Sequence, residues 1–148
     1  LFKKLNKSIS ESKSQLIEIV QTHGDFQPAN IMVSVGKTDN KLYLIDWEYS
    51  APRYCMYDSM VFATKSRFPA GLSSRLNHLV KNGFSMLSFG RLGFGASESK
   101  IHSWTLAIFL MEDLLLRVQE ANIPHLNSKG EGMTQFLFEA NKWMAMDQ

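Results

Sequence analysis

The chain has only one cysteine, Cys55, so no internal disulfide can form and no thiolate cluster can hold a metal. A reducing, cytoplasmic setting is expected. Long apolar runs are also missing. The longest strongly apolar stretch, residues 106–111, is stopped by Glu112-Asp113 far short of the roughly 20 residues that span a bilayer, and residues 1–14 lack the apolar core of a signal peptide. Charge of one sign is scarce: sixteen basic residues against fourteen acidic give a net +2, and the charges are scattered. Such a surface offers no polyanion-binding patch, so neither nucleic acid nor a membrane is an expected partner. His78, His102 and His125 have no partners at metal-ligand spacing. Repeats, low-complexity tracts and charged tails are absent. What remains, 148 residues that are 45% hydrophobic and 20% charged, is the composition of one globular domain with a substantial core.

The residues with chemical content are concentrated in one stretch, 23–48, which reads HGDFQPANIMVSVGKTDNKLYLIDWE. Two apolar runs, 31–35 and 41–45, flank Gly36-Lys37-Thr38-Asp39-Asn40, whose glycine, aspartate and asparagine suit a chain reversal, so a β-hairpin is predicted. If Val35 pairs with Lys41 and Ile31 with Ile45, the next pair outward sets Asn30 opposite Asp46. A carboxamide beside a carboxylate suits Mg²⁺, a hard cation that takes few protein oxygens and completes its shell with water and phosphate. Before Asn30 stands Asp25, in a His-Gly-Asp turn whose glycine allows tight backbone geometry and whose Pro28 keeps a helix from continuing. There it is placed to face a substrate hydroxyl.

In this order and spacing, H-G-D-x-x-x-x-N, a hairpin and I-D-W-E resemble the catalytic core of the aminoglycoside phosphotransferase and choline kinase family, which shares the protein kinase-like fold. The resemblance extends over residues 22–63. It implies that Asp25 orients the attacking hydroxyl and accepts its proton, that Asn30 and Asp46 hold Mg²⁺, and that His23 braces the loop from within. Tyr57-Asp58 resembles the family's Y-D pair, in which Asp58 would cap the next helix and hold the catalytic loop by hydrogen bonds. Gly24, Gln27 and Trp47-Glu48 stand where protein kinases have arginine, lysine and Phe-Gly, which points away from protein substrates and towards small molecules. Trp47-Glu48-Tyr49 resembles the choline kinase variant of the motif.

Elsewhere the pattern predicts helices. A short amphipathic one spans 10–20, with Ser8 or Ser10 as its cap. After a loop over 49–57, a second helix runs over 58–68 and ends near Pro69 and Gly71. A third covers 73–87, weakened at Gly83. The longest, 97–122, carries a stripe of Ile101, Trp104, Ile108, Met111, Leu115 and Val118, and the last, 133–146, would pack Phe136, Leu137, Ala140 and Trp143 on it. The stretch 90–97 imitates a phosphate loop but has Ala96 where lysine is required, so it reads as an inter-helix connection. Glu112 and Asp113 interrupt the longest helix. They form either a surface Asp113–Arg117 pair with Glu112 beside it or, by the family resemblance, part of an acceptor pocket that receives a substrate ammonium.

The expected fold is α+β, mainly helical: the C-terminal lobe of a kinase-like phosphotransferase with one catalytic β-hairpin, residues 1–148 forming a single domain. The family's N-terminal nucleotide-covering lobe is expected to lie outside this chain, and the chain alone is expected to be inactive. With Mg²⁺ and ATP (or GTP), the activity implied is transfer of a γ-phosphoryl group to a hydroxyl of an aminoglycoside, a choline-like amino alcohol or a sugar. The alternative is a catalytically inactive, pseudokinase-like binding module, against which intact Asp25, Asn30 and Asp46 argue.

Overall fold

Helix α4, Ser103–Ala121, is apolar on nearly every side, and such a helix has to be covered all round. In the computed structural model, which describes residues 1–10, 16–36, 39–84, 101–122 and 131–146, Leu106, Ala107, Phe109 and Leu110 have no exposed surface. Helix α1, Phe2–Ser10, lies against α4 with Leu5 fully buried. Of the helix predicted over 10–20, residues 11–15 lie outside the described residues and 16–20 are not helical: α1 covers Phe2–Ser10, and Ile19–Thr22 form strand β1. Adjacent β-branched Ile19 and Val20 suit an extended chain, and Leu16, counted on for an apolar face, is wholly exposed.

The second half of α4 also departs from the predicted stripe. Leu115 and Val118 are exposed, whereas Asp113, Leu116 and Arg117 are buried. Arg117 Nε donates to Asp113 Oδ2 at 3.1 Å, which lets the two charges enter the interior together. The Asp113–Arg117 pair thus forms, but inside the protein rather than on its surface.

Helix α2, Tyr57–Thr64, stops short of the predicted 68 because Lys65 takes a left-handed conformation, φ 49°, and turns its amide back on Val61 and Phe62. Arg75 ties the turn that follows, donating to the carbonyls of Thr64, Phe68 and Ala70. Helix α3, Leu72–Asn82, ends at Gly83. Its N-cap is Gly71, which has no side chain to offer. Glu139 of α5, Glu131–Met146, supplies the missing acceptor, bonding Gly71 N, Ser73 N and Ser73 Oγ at 3.2, 3.0 and 2.6 Å. Helix α5 accordingly runs along α3, with Phe136, Ala140 and Trp143 buried. The glycine-rich stretch 90–97 lies outside the described residues.

Two separate two-stranded antiparallel sheets are present among the described residues, where one hairpin was expected. Strand β2, Ile31–Val35, pairs with β3, Asn40–Leu44. Strand β1 pairs with β4, Ala51–Tyr54, in the stretch predicted to be loop. Pro52 is tolerated there because a two-stranded ribbon leaves an edge on which no amide is needed. The hairpin register also differs from expectation by one residue: Val35 faces Asn40 and Ile31 faces Leu44. Gly36 N donates to Asp39 O at 3.1 Å, which closes the loop over 36–39 one residue early. Asn30 is consequently joined to Ile45, whose amide donates to its carbonyl at 3.1 Å, and not to Asp46. The architecture is α+β and mainly helical.

Candidate active site

The His-Gly-Asp turn follows β1 and is fixed from below by Asp58, in the first turn of α2. Its carboxylate accepts the amides of His23 and Gly24 at 2.7 and 3.0 Å. Gly24 takes φ 88°, and a Cβ there would lie 2.2 Å from the Tyr49 carbonyl oxygen, so this position excludes a side chain on two counts. His23 is buried. Its Nδ1 accepts the Asp25 amide at 3.3 Å and its Nε2 meets the Ile45 carbonyl at 2.8 Å, a pattern that puts the ring hydrogen on Nε2. The imidazole therefore links the turn to the end of the hairpin. Its ring lies against Trp47 and Phe26, with centroids 4.7 and 6.3 Å away.

Asp25 is held from three sides. Asn30 Nδ2 donates to both its backbone carbonyl and its Oδ2, each at 2.9 Å, and Gln27 Nε2 donates to the same Oδ2 at 2.8 Å. Oδ1 is met by Arg67 Nε at 2.7 Å, and the same guanidinium donates through Nη2 to the Gly24 carbonyl at 2.7 Å. A carboxylate offers about four lone-pair directions. Among the described residues three are taken, and the one left open belongs to Oδ1.

Asn30 and Asp46 are not opposite one another, yet the structure keeps them neighbours, since Asn30 bonds Ile45, the residue before Asp46. Asn30 spends its NH₂ on Asp25, so its side-chain oxygen is turned from that contact. Asp46 is exposed and takes φ 66°, uncommon for a residue with a Cβ. Among the described residues no hydrogen bond or ion pair engages its carboxylate. The Asn30 side-chain oxygen and the Asp46 carboxylate are hard donors, as a Mg²⁺ site requires, although no three His, Cys, Asp or Glu side chains group as a metal site among the described residues.

Beside Asp25 opens a cavity of about 450 Å³ lined by Pro28, Ala29, Val61, Phe62 and Phe68 with Gln27, Lys65 and Arg67. Gln27 and Arg67 thus touch both the cavity and the Asp25 carboxylate.

Residues 1–66 match the choline/ethanolamine kinase family. This bears out the resemblance carried by the H-G-D, N and I-D-W-E motifs, and at a coarse level it supports a small-molecule phosphotransferase. The stretch similar to that family holds His23, Asp25, Asn30, Asp46 and Asp58 but less than half of the 148-residue chain. Comparison with curated proteins and with solved structures finds no match.

Beyond the family match lie the acidic residues of α4. Asp113 has no exposed surface. Its Oδ1 accepts from the Tyr57 hydroxyl at 3.0 Å and from Ser66 Oγ at 3.5 Å, while Oδ2 accepts from Arg117. Glu112 points elsewhere: its Oε1 accepts the Tyr54 amide at 2.9 Å, and its Oε2 is buried with no hydrogen-bond partner among the described residues. Burial raises the Glu112 carboxyl above its ordinary value, against the lowering influence of the Tyr54 amide and Arg53. Two α4 acids meet the site through Arg67 Nη1, Glu120 at 3.5 Å and Asp113 at 4.0 Å. Glu120 is half-buried. Burial raises its carboxyl too, against the pull of Arg67 and Arg117.

Sequence reading missed Arg67 and Glu120. Arg67 lies in an unremarkable turn before Pro69, and its partners Asp25 and Glu120 are 42 and 53 residues away in the chain. Only the seven-residue spacing of Asp113 and Glu120, two helical turns on one face, could have hinted at a shared cation.

Proposed function

We propose that this chain forms the catalytic end of a small-molecule kinase, resembling the C-terminal lobe of the kinase-like fold, that transfers the γ-phosphoryl group of ATP or GTP to a hydroxyl. The observation that carries the reading is the Asp25 carboxylate, fixed by Asn30, Gln27 and Arg67 with one direction of Oδ1 open beside an apolar cavity. The acceptor lies in that cavity and its hydroxyl donates to Oδ1. As the hydroxyl oxygen bonds to the γ-phosphorus, the bond from that phosphorus to the β–γ bridging oxygen breaks. The hydroxyl proton passes to Asp25, and a nucleoside diphosphate leaves. The similarity to choline/ethanolamine kinases makes a choline-like amino alcohol the leading acceptor, to be bound with part of its body in the cavity. Asn30 and Asp46 would hold Mg²⁺, which when bound neutralises phosphate charge.

Asp25→Asn is a cleaner test than Asp25→Ala, because it keeps the side-chain shape and one acceptor oxygen, whereas alanine leaves Arg67 Nε, Asn30 and Gln27 with no side-chain acceptor at this position. In the full-length protein the asparagine variant should lose on the order of 10²- to 10⁴-fold in kcat, the usual worth of a positioned base, with nucleotide affinity nearly unchanged. Turnover within a few-fold of wild type would remove Asp25 from this role.

A further inference from the structure

Arg67 lies one residue past the stretch that matches the kinase family, and its guanidinium bridges two parts of the molecule. One end grips the catalytic turn at two points, Asp25 Oδ1 and the Gly24 carbonyl, each at 2.7 Å. The other end, Nη1, reaches α4, 3.5 Å from Glu120 and 4.0 Å from Asp113. Its flat face lies over the Tyr49 ring at 5.8 Å. Asp113 is itself immobilised by Arg117, Tyr57 and Ser66, so the far end of Arg67 is set by the packed core rather than by a loop. Burial opposes the charge, but the carboxylates of Asp113, Asp25 and Glu120 outweigh it and keep the guanidinium firmly protonated.

We propose that Arg67 is a positioning residue for phosphoryl transfer: it carries the rigidity of α4 to Asp25 and fixes the direction of the free lone pair of Oδ1, next to the cavity that Gln27 and Arg67 line. The inference rests on the reading of Asp25 as the group that meets the acceptor hydroxyl. Asn30 and Gln27 both bond Oδ2, which alone would leave the carboxylate free to swing about that oxygen. Arg67 removes this freedom because its two contacts are made by nitrogens in a fixed fork, with Nε on the carboxylate and Nη2 on the preceding carbonyl. A lysine at 67 would keep the charge but could not hold both oxygens in that plane.

The test uses Arg67→Lys and Arg67→Ala in the full-length protein, assayed with ATP, Mg²⁺ and choline or ethanolamine. Arg67→Lys should stay folded, keep its KM for ATP within about twofold, and lose roughly 10- to 100-fold in kcat, as a misplaced catalytic group does. Adding methylguanidinium to Arg67→Ala should restore part of kcat saturably, while equal concentrations of tetramethylammonium should not. Wild-type kcat in a folded Arg67→Lys protein would overturn the proposal, as would an Arg67→Ala loss that merely tracks the unfolded fraction. A second readout needs no turnover: amide exchange of residues 23–30 should quicken in Arg67→Lys, and unchanged protection there would equally overturn it. If the wild-type protein transfers no phosphoryl group to any acceptor, the proposed function fails, and the exchange measurement still decides whether Arg67 holds the turn.

Discussion

At the scale of the residue, Glu112 shows how one buried oxygen sets a pH response. Its Oε1 has the Tyr54 amide, but Oε2 is enclosed with nothing to bond among the described residues. Burial raises its carboxyl above the ordinary 4.5, so in that window the folded state binds more protons than the unfolded one. Stability contributed by the protonated acid is then complete below 4.5 and is lost as pH rises through the folded value. Glutamine cannot titrate and can still accept from Tyr54 through its carbonyl. Wild type should therefore lose stability relative to Glu112→Gln between pH 4 and pH 7 in urea unfolding. Parallel stability curves for the two proteins over that range would show that the carboxyl does not sense its burial.

At the scale of the element, α4 works both as core and as anchor. Its apolar first half supplies burial, and its second half turns Asp113 and Arg117 inward, where Tyr57, Ser66 and Arg67 converge on one carboxylate. Removing that carboxylate leaves two guanidinium groups short of a counter-charge and the Tyr57 hydroxyl without its acceptor. Asp113→Ala should cost about 3–5 kcal/mol, the usual loss when one partner of a buried ion pair is deleted. The urea midpoint gives the number, and a cost under about 1 kcal/mol would mean that the cluster relaxes without Asp113. The hairpin teaches a different lesson. Its loop closes through Gly36 and Asp39, and this contact shifts every pairing by one residue and sends Asp46 beyond the ladder with a positive φ. A shift of that size normally turns a strand's side chains over. Here Met32, Val33, Leu42 and Tyr43 are all exposed, so burial does not select one register over the other.

At the scale of the molecule, the site draws on distant parts of the chain. The turn, the hairpin and Asp58 lie within residues 1–66, while Arg67, Asp113 and Glu120 join from outside that stretch. If Asn30 and Asp46 hold Mg²⁺, Asp46→Asn in the full-length protein should weaken ATP binding in the presence of Mg²⁺ by about tenfold or more while barely changing metal-free binding. Titration calorimetry with and without the metal measures both, and equal losses would mean that Asp46 does not bind a cation. Among the described residues no helix is long and apolar enough to cross a membrane.

The spacing of His23, Asp25, Asn30 and Asp46, the hairpin between the last two, and the apolar character of α4 were legible in the order of residues, because each follows from turn chemistry or periodicity over a few positions. So was the pairing of Asp113 with Arg117 one turn away, whereas α3, predicted over 73–87 and only weakened at Gly83, ends there. The order of residues did not contain the exact hairpin pairing, the β1–β4 ribbon, the place of α1 or the burial of the Asp113 pair. These depend on which surfaces meet after the chain has folded back. Arg67 is the extreme case: no local rule marks it, and its grip on Asp25 exists only because the turn after α2 comes to rest between the His-Gly-Asp turn and α4. Local turn and hairpin chemistry decided which of these side chains stand together, and long-range burial decided how firmly they are held.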